Sequence, residues 1–151
     1  MRTPVPVVLV ALIFVAATLS ACGKKSPTQP GEKGLPGTWR ATSAEYVSRA
    51  NSSVRQEVVS RGTTMTLTLN ANNTYTLTIV NPGQAAQIAD GTWTASVDVL
   101  TLRRTGMTGE SQFDMTQSGD TLTLTGGSML YDFEGDGIPD EAVLNATFAR
   151  Q

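Results

Sequence analysis

Thr64-Met65-Thr66-Leu67-Thr68-Leu69 and Thr74-Tyr75-Thr76-Leu77-Thr78-Ile79 flank the segment Asn70-Ala71-Asn72-Asn73, and in both runs every second residue is apolar and every other one is threonine. In an extended backbone successive side chains point to opposite faces, so this period of two gives one apolar face and one hydroxyl face. Threonine suits the wet face, because its branched β-carbon favours the extended chain while its hydroxyl meets water. A connection of four residues rich in Asn forces the two runs to lie antiparallel. The same alternation returns in Thr121-Leu122-Thr123-Leu124-Thr125.

Working outward, the pattern predicts strands over 38–48, 63–70, 74–80, 91–96, 98–104, 111–117, 120–126, 128–133 and 142–150, with 53–60 as a further short strand. No stripe of period 3.6 competes with them. Short turns between neighbours give an antiparallel meander, and closing eight or nine such strands on themselves removes the exposed edges. The expected fold is therefore all-β, an up-and-down antiparallel barrel, with a two-sheet sandwich as the alternative.

The chain of 151 residues suffices for one ordinary domain. Its formal charge of −2 does not suit a nucleic-acid-binding surface, which is normally clearly basic. With no histidine, the commonest general base and metal ligand is missing. Cys22 is the only cysteine, so no intramolecular disulfide can form. No Gly-x-Ser-x-Gly, phosphate loop or zinc spacing is present, and a non-enzymatic protein is expected.

The first residues carry a different signal. Arg2 precedes an uncharged run from Val7 to Leu19, shorter than the ~20 apolar residues that span a bilayer and of a length suited to secretion. It ends in Leu19-Ser20-Ala21-Cys22, which resembles the lipobox of bacterial lipoproteins. That resemblance implies a signal peptide over 1–21, cleavage before Cys22 and lipid attached to its thiol. Gly23 stands where an aspartate would resemble an inner-membrane retention signal, so the expected location is the cell envelope, at the outer membrane. The Gly-, Pro- and Lys-rich residues 22–36 read as a tether, leaving 37–151 as the barrel domain.

Gly37-Thr38-Trp39, at the first strand, resembles the Gly-x-Trp start of the lipocalin-like family, and Asp90-Gly91-Thr92-Trp93 with Leu100-Thr101-Leu102 resembles that family's mid-domain pattern. The resemblance implies that Trp39 closes one barrel end and that a basic residue near the last strand, here Arg150, lies over its ring. Plain core roles for both tryptophans are the alternative. This chain lacks the disulfide and the clear C-terminal helix of typical lipocalins.

Five of the 13 acidic residues fall within Asp132-Phe133-Glu134-Gly135-Asp136-Gly137-Ile138-Pro139-Asp140-Glu141, a segment that resembles Asp-x-Asp-x-Asp-Gly calcium loops. Calcium would take Asp132, Glu134, Asp136 and Asp140 as side-chain ligands. Glu134 is longer than the usual aspartate, however, and Val143 stands where a bidentate acid is expected. An acidic hairpin between the last two strands is the alternative. Arg103-Arg104 puts one charge on each face of a strand, so that one could point inward to a ligand; a rim position is the other reading. Asn51, Asn72 and Asn145 begin chance matches to glycosylation acceptors.

Two functions follow from these readings. One is a lipid-anchored module whose barrel accepts a small hydrophobic molecule. The other is a structural or interaction protein with a filled barrel, engaging another envelope component. The volume and lining of the barrel interior discriminate between them.

Overall fold

A computed structural model describes residues 34–151; Cys22 and the leader lie outside the described residues. The strands are β1 (Gly37–Ser48), β2 (Arg55–Glu57), β3 (Thr64–Leu69), β4 (Thr74–Val80), β5 (Gln87–Ala95), β6 (Val99–Arg104), β7 (Ser111–Ser118), β8 (Thr121–Tyr131) and β9 (Asp140–Arg150). From β3 to β9 each pairs antiparallel with the next, and β9 returns to β1 in a register running from Trp39↔Arg150 to Ser48↔Ala142. This last pairing closes eight strands into a barrel and rules out the sandwich; β2 is an extra strand on the edge of β1.

The alternating face of each strand fills the interior. Met65, Leu67 and Leu69 of β3 point inward with Leu100 of β6, Leu122 of β8 and Phe148 of β9, all of them buried. Their threonine neighbours point outward and remain half-exposed, as the period of two requires.

Three differences from the expected strands have local causes. The pieces 120–126 and 128–133 form one strand, β8, whose register to β9 shifts between Leu124 and Gly127. A bulge inserts an extra residue there, and the Asn145 side chain meets it by accepting from the Gly126 amide at 3.1 Å. Strand β5 begins at Gln87, because Ile79↔Gln87 and Thr78↔Ile88 pair before the predicted start. Finally, 53–60 holds only the short β2, followed by one 3-10 turn, Val59–Arg61.

That short segment repairs a gap in the barrel wall. Strand β1 pairs with β3 only from Gly37 to Arg40, then bulges between Ala41 and Ser43. Beyond the bulge its free edge is taken by β2, through Glu45↔Glu57 to Val47↔Arg55. The Glu57 carboxylate accepts from the amides of Ala44 at 2.9 Å, Val59 at 3.3 Å and Ser60 at 2.6 Å. Burial alone would raise its pKa, but these bonds and the Ser60 side chain prevail and hold it below the ordinary carboxylate value. Next to it, Val58 buries its side chain in the core.

The two barrel ends differ. Turns at 70–73, 96–98 and 119–120 lie at one end, where β1 begins and β9 finishes. Segments 49–63, 81–86, 105–110 and 132–139 lie at the other.

Candidate binding site

The first end is plugged. Trp39 is fully buried, and its indole N–H donates to the Leu35 carbonyl at 2.9 Å. The guanidinium carbon of Arg150 lies 4.1 Å from the centroid of the Trp39 ring. Arg150 Nη1 donates to the Pro36 carbonyl at 3.0 Å, Nη2 to that of Gly34 at 2.7 Å, and Nε lies 3.5 Å from an Asp120 carboxylate oxygen. A side chain at Gly37, which has φ +150°, would run into the guanidinium. Gly37 therefore makes room for the arginine that covers the tryptophan beside it. Residues 34–36, expected to belong to the tether, wrap this plug. The second tryptophan, Trp93, ties down a turn at the same end, its indole donating to the Asn70 carbonyl at 3.1 Å.

Above the plug the barrel is packed solid. Among Met65, Leu67, Leu77, Leu102 and Phe113 only about 20 Å³ is left, room for about one water-sized group. Of the six residues expected to fill the interior, Met65, Tyr75, Trp93, Phe113 and Met115 are buried, whereas Tyr131 is half-buried and lines the mouth.

The other end is open. A cavity of about 1070 Å³ spreads over the packed layer, with Leu77, Leu102 and Met129 among its apolar lining and Tyr46, Tyr75 and Tyr131 as aromatic lining. Ligand pockets typically run to ~300–1,000 Å³, so a small organic molecule fits. Tyr46 and Tyr131 stack with centroids 4.3 Å apart, and Phe133 meets Tyr131 edge-on at 4.9 Å. Burial pushes the Tyr46 phenol up to about 12, with the neighbouring Tyr131 adding to the shift. Burial likewise raises Tyr75 and Tyr131. Arg104 also lines this cavity and Arg49 lies at its edge, where it donates to the Ser128 hydroxyl. Of the pair Arg103-Arg104, the inward register belongs to Arg104, two residues beyond the inward Leu102.

The acidic loop, Asp132 to Pro139, joins β8 to β9 at this open end. Asp132 uses both carboxylate oxygens on the loop's own backbone, accepting from Gly135 at 2.6 Å, Asp136 at 3.3 Å and Gly137 at 2.8 Å. These bonds, the one from Gly137 foremost, lower its pKa. Asp136 in turn accepts from the Ile138 amide at 2.8 Å. Among the described residues no three acidic or cysteine side chains gather as a cation would require, so Asp132, Glu134, Asp136 and Asp140 do not stand as one ligand set.

Sequence reasoning singled out neither Tyr46 nor Met129 for the mouth. Their signal was hidden by the bulges, which change the face presented by every later residue of the strand.

A closed antiparallel barrel with one end plugged by tryptophan and arginine and the other open defines a binding fold. The lipocalin-like domain family matches residues 35–124, and the chain belongs to that family. The match ends at Leu124, where β8 begins to bulge, and the rest of β8, the acidic loop and β9 complete the barrel. Comparison with curated proteins finds no match.

Proposed function

We propose that this protein is a lipid-anchored lipoprotein of the bacterial cell envelope, at the outer membrane, whose open barrel end binds a small hydrophobic molecule and performs no chemistry on it. The observation that carries the binding is the mouth cavity of about 1070 Å³, roofless and partly apolar, above an interior with no comparable space. Anchoring rests on the leader and on Cys22. Among the described residues no helix is long and apolar enough to cross a membrane. Lipid on Cys22 would supply the attachment, with two or three acyl chains needed to make it lasting.

The test is saturation binding of phenylnaphthylamine, a neutral two-ring fluorophore, to the detergent-solubilised chain. Saturable binding at one site, lost when Met129→Asp puts a charge into the mouth floor, supports the reading. Absence of saturable binding contradicts it.

A second reading has its own observation. Ile88, Met107, Leu130 and Ile138 are exposed large apolar residues of the open end. Exposed apolar residues around this end also suit contact with another envelope protein, because a protein interface would cover them. Co-purification of one stoichiometric partner through that rim, without ligand binding, would favour this reading.

A further inference from the structure

Two arginines occupy inward register positions of the barrel, one near each end, and their surroundings are opposite. Arg150 at the plugged end is engaged by an aromatic ring, two carbonyls and a carboxylate. Arg104 follows Leu100 and Leu102 along β6, pairs with Gly91 of β5 and lines the mouth cavity. Its carbonyl accepts from the Met107 amide at 3.3 Å, while among the described residues its guanidinium makes no hydrogen bond or ion pair. Its charge does reach the Tyr75 phenol, where it opposes the upward push of burial.

The β5 partner of Arg104 is Gly91, where a side chain would collide with the Arg103 carbonyl and press on the Tyr75 ring at 2.9 Å. The glycine thus lets the Tyr75 ring lie against the strand beside Arg104, with no side chain of its own between them. The acidic residues of the mouth do not fill that place. Glu110 accepts from its neighbour Gln112 at 2.9 Å, Glu141 pairs with the outward Leu130, and Asp132 is occupied by loop amides. A cation on an inward register position, beside an apolar floor, matches an anion better than a neutral or cationic group. The floor sets the shape of the remainder: with about 20 Å³ below Leu77 and Leu102, an extended chain cannot thread toward Trp39.

From this arrangement we infer that the mouth selects a compact amphipathic anion, whose carboxylate, sulfonate or phosphate group pairs with Arg104 while a short, ring-like apolar body rests on Leu102 and Met129. The inference rests on the binding function proposed above and deepens it.

The test compares anilinonaphthalene sulfonate with phenylnaphthylamine, which share one ring skeleton and differ by the sulfonate. With the full detergent-solubilised chain the sulfonate should bind about tenfold more tightly, the order of one charge-assisted hydrogen bond. Arg104→Gln should abolish this preference and bring the two probes to equal affinity, while a melting temperature matching that of the parent chain reports its folding. Arg103→Gln, on the outer face of the same strand, should keep the preference. Hexadecanoate should displace the sulfonate only weakly. A preference that is absent, or that survives Arg104→Gln, overturns the anion site and leaves the binding reading standing. Hexadecanoate binding more tightly than the sulfonate overturns the compact shape. If neither fluorophore binds, both this inference and the proposed function fall.

Discussion

Tyr46 and Tyr131 stack at 4.3 Å because each of their strands slips by one residue on its way to the mouth. Before its bulge β1 points Trp39 and Ala41 inward; beyond it Ala44 and Tyr46 take that face. Strand β8 points Leu122 and Leu124 inward, then turns Met129 and Tyr131 to the same side and leaves Leu130 exposed. The bulges thereby convert a packed barrel into one with an aromatic wall at its open end.

That wall predicts an alkaline transition. The Tyr46 pKa is raised to about 12, so the folded state holds the phenol proton more tightly than the unfolded chain does. Its contribution, about 3 kcal/mol, is fully present below the ordinary phenol pKa near 10 and is lost as pH rises toward 12. Phenolate absorbance should therefore lag behind that of a free tyrosine, and Tyr46→Phe should flatten the fall in stability over this window. Three tyrosines titrating together near pH 10 in the folded chain would contradict the burial.

At the plugged end, Trp39→Ala should cost about 3–5 kcal/mol, the usual range for emptying a large core site. Arg150→Met should cost less, on the order of 1–3 kcal/mol, through its charged hydrogen bonds. Denaturant midpoints measure both. A negligible shift for Trp39→Ala would remove the plug from the account.

For the acidic loop, Asp132→Ala should release the amides of Gly135 and Gly137 to rapid hydrogen exchange. The Asp132 pKa is lowered, so its stabilising bonds persist above the ordinary aspartate pKa and fade as pH falls through the lower folded value. With Asp132 committed to these amides, millimolar calcium should act only by screening, as sodium does at equal ionic strength. Saturable calcium heat in a calorimetric titration would show instead that the loop rearranges around a cation.

Cys22→Ala should abolish fatty-acid labelling and release the protein from membranes, since the thiol that would carry the lipid is gone. Unchanged labelling and fractionation would sink the lipoprotein proposal.

The closed barrel was legible because threonine and aliphatic residues alternate so strictly in β3 and β4 that only one face can be buried. Trp39 and Arg150 could be paired by resemblance, while the carbonyls of Gly34 and Pro36 that hold the arginine could not be read from a Gly- and Pro-rich stretch. The mouth was the least legible part. A bulge is one inserted residue with no fixed composition, and straight alternation would have turned Ser43, Glu45 and Val47 inward in place of Ala44 and Tyr46. The acidic loop was legible only in part: spacing of carboxylates indicates which groups could converge, while the amides of Gly135 and Gly137 that Asp132 accepts could not be read from it.

The methionines report on the central claim, that ligand occupies the mouth above a filled barrel. Met107 lines the open cavity alone, Met129 borders both that cavity and the small void beneath it, and the buried Met65 lines only the void. With methyl-labelled methionine, saturating phenylnaphthylamine should move the Met107 and Met129 resonances and leave Met65 in place. A shift at Met65 with Met107 unmoved would put the ligand inside the barrel and contradict the account.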